Sequence, residues 1–265
     1  MELSIYPLQA KVKCSKIEIA FIRRHGKSLA KNSEGVKMRL IFVRHGHPNY
    51  VDDCLTDLGH LQAEAAAQRL CTENIDKIFT SSSGRAVETA GHIGSKLGIP
   101  CQKCDFMREL DWGSANGEEI PFHGQPWVTA NAIISRGEDV LDPQWMRNAT
   151  YQNNVLTQSV ERVVTGFDPW LAELGYVREG NYYRVRESNP QTVVMVSHGG
   201  ASTAALSRLF NLPFPFVCKS IQPQYTAISV ITFNGETGAL IAPTMELVND
   251  AKHILGIEAQ NIFGK

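Results

Sequence analysis

Short apolar blocks alternate along this chain with longer stretches of helical period. Arg39-Leu-Ile-Phe-Val43 reads as a buried strand that stops abruptly at Arg44-His45-Gly46. Thr56 then stands as N-cap before a helical pattern through Leu58, Leu61, Ala65 and Leu70. Ile75 to Thr80 predicts a second strand, and Ser83 to Leu97 a helix closed by Gly98 and Pro100. A third short strand falls near Ile99 to Phe106. From Ser114 to Gln158 no period is sustained, and Gly, Pro and Asn mix with Phe122, Trp127, Trp145 and Tyr151. An irregular segment of that length inside a compact domain is functional or mobile. Helical spacing resumes over Val160 to Leu174. Thr192 to Val196 is a wholly apolar strand ending at Ser197-His198-Gly199-Gly200, ahead of a small-residue helix from Ala201 to Phe210. Two closing strands, Ala227 to Phe233 and Gly238 to Val248, are predicted to form a hairpin across Asn234-Gly235. Alternation of strand and helix predicts a layered α/β fold on a mainly parallel sheet, with ligands at the C-terminal strand ends.

Composition narrows the partners more than the activity. The chain has 265 residues, with 26 Lys and Arg against 27 Asp and Glu, a formal charge of −1. That balance argues against binding nucleic acid or an anionic membrane through bulk positive charge. No apolar run approaches the roughly eighteen residues of a membrane span. Residues 1–37 lack a secretory signal's continuous apolar core and are read as an N-terminal extension or upstream start. Six cysteines are too few for a disulfide scaffold, and the expected compartment is the cytoplasm. Cys101 and Cys104 have no second pair at zinc-ribbon spacing and read as plain strand residues.

The chemistry lies in four turns at predicted strand ends. They carry Arg44 and His45, Arg85 in Ser82-Ser-Gly-Arg-Ala86, Arg108-Glu109, and His198. Two arginines and two histidines brought together form a compact cationic pocket suited to phosphate, with the Glu109 carboxyl beside it as proton donor. Each piece alone is weak, since Arg85 alone fits a solvated surface and Glu109 an exposed loop. No Gly-x-Ser-x-Gly elbow accompanies the His-Gly-Gly turn, which argues against a serine hydrolase. No His-Glu-x-x-His or comparable metal spacing is present.

In order, the motifs are Val43-Arg44-His45-Gly46, Leu55-Thr56-x-x-Gly59-x-x-Gln62-Ala63, Ser82-x-x-Arg85-Ala86-x-x-Thr89-Ala90, Arg108-Glu109-x-x-x-Gly113 and Val196-Ser197-His198-Gly199-Gly200. Together they resemble the histidine phosphatase superfamily, in its phosphoglycerate mutase-like branch, from about Met38 to His253. The resemblance implies a three-layer αβα sandwich over 38–265, with residues 114–158 as a cap. It also implies a metal-independent phosphomonoesterase with no cofactor, acting on a small phosphorylated metabolite through phosphorylated His45. Arg44, Arg85 and His198 would hold the phosphoryl oxygens, with Gly199 and Asn49 lining the substrate side, and Glu109 would be the acid and base. Mutase-type phosphoryl transfer and non-catalytic phospho-ligand binding are the alternatives, and a homodimer is left open.

Two details complicate the match. Arg24-His25-Gly26 repeats the nucleophile triplet, but no Leu-Thr-x-x-Gly segment follows it at the short spacing that follows Gly46. His45 is therefore taken as nucleophile. Where many members carry a small hydroxyl residue and an Asn after the nucleophile loop, this chain has Pro48 and Val51, which tilts the expectation from mutase to phosphatase. His47 is a candidate for the pocket entrance, His123 for substrate contact and His253 for packing behind the site, while His60 and His92 are expected on helix surfaces.

Overall fold

The computed structural model describes residues 37–257. Arg24-His25-Gly26 and nearly all of the proposed extension lie outside them.

The first strand, β1 (Lys37–Arg44), shows why the sheet has two covered faces. Met38, Leu40 and Phe42 join one core cluster, whereas Ile41 and Val43 join another. Alternate residues of a strand face opposite ways, so a strand apolar at every position needs a helical layer on each side. Those layers come from α1 (Asp57–Leu70) and α2 (Gly84–Leu97) on one face. On the other lie α4 (Leu156–Glu173) and α5 (Gly199–Phe210), once the cap has supplied α3 (Pro126–Ser135). The three-layer αβα expectation holds.

After β1 come the short pair β2 (Pro48–Asn49) and β3 (Cys54–Leu55), then β4 (Lys77–Thr80), β5 (Cys101–Lys103), β6 (Tyr176–Glu179), β7 (Tyr182–Val185) and β8 (Thr192–Ser197). Helix α6 (Phe214–Ser220) precedes β9 (Ile228–Asn234), β10 (Leu240–Ile241) and β11 (Thr244–Asp250). The main sheet runs β11-β9-β1-β8-β4-β5. Its β1, β8, β4 and β5 are mutually parallel, and β9 and β11 add on antiparallel. Strands β1 and β8 pair directly through Arg44 and Ser197, so the His45 and His198 turns emerge side by side.

Local signals place several ends. Thr56 Oγ1 accepts from Gly59 N at 3.2 Å, and Gly98 closes α2 at φ 70°. The strand expected over 99–106 shrinks to β5, because Asp105–Met107 turns into a 3-10 helix. Cys101 and Cys104 carry free thiols, and burial pushes that of Cys104 up to about 11.

The expected terminal hairpin is corrected. Asn234 ends β9 as a strand residue instead of opening a two-residue turn, and Gly238 to Val248 is not one strand. Within that stretch β10 pairs with β7, while β11 returns to β9, with Thr244 opposite Thr232. The β6–β7 hairpin that draws β10 away stands outside every strand expected from the sequence. The insert 114–158 is also less irregular than its pattern. It holds α3, with Pro126 in its first turn, and three 3-10 turns. Trp145 packs in the core against Tyr151 at 4.9 Å between rings.

Candidate active site

His45 is buried at the end of β1, where its backbone N–H donates to Ser197 O of β8 at 2.9 Å. The ring Nδ1 lies 2.7 Å from Gly46 O. A carbonyl only accepts, so Nδ1 carries the proton and Nε2 keeps its lone pair. Nε2 faces Arg85, whose Nε donates to it at 3.4 Å. Burial above all, with the Arg44, Arg85 and His47 charges, pulls the imidazole down to about 3, against the Gly46 hydrogen bond. The ring is thus neutral and available to attack an electrophile.

The nucleophile loop approaches the start of α1 at backbone distance. A Cβ on Gly46 would stand 2.6 Å from Gly59 O, so Leu-Thr-x-x-Gly must follow at a fixed spacing. His47 is tied in by Thr56, its Nδ1 lying 3.0 Å from Oγ1, and its ring meets Tyr225 at 5.3 Å.

His198 is the N-cap residue of α5, with its ring centroid 5.0 Å from that of His45. Its Nε2 meets Ser81 Oγ at 2.8 Å, while Nδ1 is buried without a partner among the described residues. Burial first, then His45, Arg85 and Arg44, hold its pKa well below the ordinary value. Arg44 donates to Pro223 O at 2.7 Å and stacks on Tyr225, Cζ to ring centroid 4.2 Å. Its Nε is buried with no partner among the described residues. Arg85 is held by Asp53, which also accepts from Gly84 N at 2.7 Å.

Glu109 closes the far side. Its carboxylate oxygens accept from Leu110 N at 2.9 Å, Ala201 N at 3.1 Å and Gly200 N at 3.5 Å, the last two at the start of α5. Burial raises its pKa, outweighing those hydrogen bonds and the pull of Arg44. A carboxyl that keeps its proton above the usual range is suited to donate it. Arg162 of α4 donates to Arg108 O at 3.0 Å and Glu109 O at 2.7 Å, fixing the loop that presents Glu109.

The structure thus brings Arg44, His45, Arg85, Glu109 and His198 to one end of the sheet. Gly199 joins them, since a Cβ there would lie 3.8 Å from Arg44 Nε and 3.7 Å from Trp127. Asn49 does not act as expected. Its side chain is spent on its own turn, accepting from Val51 N at 3.0 Å and donating to Asp52 at 2.8 Å. His123 and Phe122 are exposed on the cap. His60 and His92 are not separate solvated residues, because Nδ1 of one lies 3.0 Å from Nε2 of the other. His253 reaches the site from behind through Thr226, whose Oγ1 is 3.1 Å from Nε2 and whose N–H donates to His45 O at 3.3 Å. Asp53, Ser81, Arg162 and Tyr225 are partners that sequence reasoning missed. Only Tyr225, an aromatic in a Pro- and Gln-rich loop ahead of a buried strand, left a signal.

Two consequences are testable. Asp53→Asn keeps an acceptor for Gly84 N but loses the charge that steadies Arg85. For a half-exposed ion pair worth up to about 1 kcal/mol, kcat/KM should fall about two- to fivefold. A rise in kcat/KM would mean that Asp53 competes with substrate for Arg85. The depressed His45 pKa also fixes a sign for stability. Between about 6.5 and about 3 the unfolded chain binds a proton that the folded site refuses, so stability falls with pH across that window. The unfolding free energy from urea titrations should drop below pH 6.5 by roughly 1.4 kcal/mol per pH unit for this group as pH falls, and less steeply in His45→Ala.

Among the described residues no helix is long and apolar enough to cross a membrane, and no cluster of three or more His, Cys, Asp and Glu is poised to hold a metal ion.

The chain is similar to known proteins in sequence and in fold. Glucosyl-3-phosphoglycerate phosphatase of Mycobacterium tuberculosis is 29% identical over 184 residues, 66% of this chain and 76% of that protein. A 2,3-bisphosphoglycerate-dependent phosphoglycerate mutase of Brucella ovis is 34% identical over only 92 residues, 29% of this chain and 45% of the mutase. The crystal structure of phosphoserine phosphatase from Entamoeba histolytica, in complex with 3-phosphoglyceric acid, shares the fold. It has a TM-score of 0.55 and 21% identity, covering 82% of this chain and 100% of that one. The family model of the histidine phosphatase superfamily (branch 1) matches residues 21–244, and the chain belongs to that superfamily.

Proposed function

We propose that the protein is a phosphomonoesterase working through a phosphohistidine on His45. The observation that carries this reading is the His45 tautomer. Nδ1–H on Gly46 O leaves Nε2 unprotonated and facing Arg85, with His198 beside it. In the first step the Nε2 lone pair attacks phosphorus and the bond from phosphorus to the alcohol oxygen breaks. The departing oxygen takes the Glu109 proton. Arg44, Arg85 and His198 hold the non-bridging oxygens as charge shifts across them. In the second step Glu109, now ionised, removes a proton from water as its oxygen attacks phosphorus. The N–P bond breaks, orthophosphate leaves, and both His45 and Glu109 return to their starting states.

The arginines supply the cationic charge, so this mechanism needs no metal ion. The substrate is read as a small phosphorylated metabolite, since a polyanion would meet a nearly neutral surface. The reading is tested by scoring phosphate release from a panel of phosphoesters with and without a chelator. Release that persists under chelation supports it, and no release from any ester contradicts it.

A further inference from the structure

The phosphoryl group and the alcohol it leaves behind face different surroundings in this site. The phosphoryl end is lined by Arg44, Arg85, His45 and His198. The alcohol has to leave toward Glu109, and that side is aromatic. Trp127, carried in by α3 of the cap, lies over Gly199, next to the amides of Gly200 and Ala201 that hold Glu109. Trp112, three residues after Glu109, meets Trp127 edge to face at 6.0 Å and 83° and is 40% exposed. The two indoles come from separate segments and form one corner.

Two cations on this side, Arg162 and Arg108, already face partners. Arg162 is spent on Arg108 O, Glu109 O and, at 3.3 Å, Asp111. Arg108 faces Asp105 at 3.4 Å. A carboxylate on the alcohol would therefore have to compete with Asp111, with Asp105, or with the phosphoryl group that Arg44 serves, which is costly. A planar uncharged group would gain burial and edge or face contact with the indoles.

We propose, building on the phosphatase reading, that the substrates are monoesters of uncharged alcohols bearing an aromatic ring, which stacks in the Trp112–Trp127 corner. The partly buried Trp127 is then a specificity determinant, acting on the alcohol and not on the phosphoryl group.

The test compares 2-phenylethyl phosphate with glycerol 3-phosphate and phosphoserine. All three are primary alkyl esters, so alcohol acidity does not decide the ranking. The wild-type kcat/KM should be at least about tenfold higher for 2-phenylethyl phosphate, a stacking gain on the order of 1.4 kcal/mol. Trp127→Ala should collapse that ratio toward one, and Trp127→Phe should keep most of it. Using a ratio separates recognition from any general damage to the cap. Equal rates on the three esters, a preference for phosphoserine, or a ratio untouched by Trp127→Ala would overturn the inference and leave the phosphatase reading standing. No turnover of any ester would instead contradict that reading.

Discussion

Replacing His45 by alanine is expected to reduce kcat by about 10⁴-fold or more, while the protein still folds. The size follows from what is lost. His45 is the histidine whose Nδ1–H on Gly46 O leaves Nε2 unprotonated toward Arg85, whereas His198 Nε2 is engaged by Ser81. Water attacking directly would have to do so against a phosphoryl group whose binding site is shaped around an imidazole. A small loss, tenfold or less, would mean that another residue is the nucleophile. Circular dichroism and a urea midpoint near that of the wild type at neutral pH would show that the loss is chemical. At that pH the removed ring is neutral in both folded and unfolded states, so its titration adds nothing to the difference.

Glu109→Gln should cost about 10²- to 10³-fold in kcat for alkyl esters, and the loss should depend on the alcohol. A nitrophenolate leaves without needing a proton, so its turnover should fall far less. The pH profile carries a second sign. His45 sets the acid limb near 3, and the raised Glu109 pKa sets an alkaline limb above the ordinary carboxylate range. Glutamine cannot titrate, so that limb should disappear, leaving only the ionisation of the substrate near pH 6, about where phosphate monoesters lose their second proton. A variant with an unchanged alkaline limb would show that Glu109 is not the acid.

How much of this was legible in the sequence differs by kind of feature. The strands β1 and β8 were plain, because burial on both faces forces unbroken apolar runs that end abruptly at polar turns. The site residues on those turns were legible for the same reason, and parallel pairing of β1 with β8 brings His45 and His198 together. Glycine spacing carried the contact between Gly46 and Gly59. What failed was decided by tertiary competition. Asn234-Gly235 has the local chemistry of a tight hairpin, but β7 offers residues 240–241 an edge and lengthens the connection. Helix α3 escaped because apolar residues also stand on its exposed side, Val128 and Ile134, and blur the stripe of Pro126, Thr129, Ala130 and Ile133 that is buried. Asn49 was placed on the substrate side by position, whereas an Asx turn on Val51 was the nearer use for its side chain. Asp53 and Arg162 were out of reach, since their roles come from partners 32 and 53 residues away in the chain.

The central claim is covalent chemistry at His45, and rapid trapping tests it most directly. The full chain is mixed with a phosphoester, quenched in alkaline denaturant where an N–P bond survives, digested with trypsin and mapped by mass spectrometry. The account predicts phosphate on the peptide that begins at His45, localised to that residue and absent from His45→Ala. Label on the peptide that begins at His25, or steady phosphate release with no phosphohistidine at any time point, would contradict it.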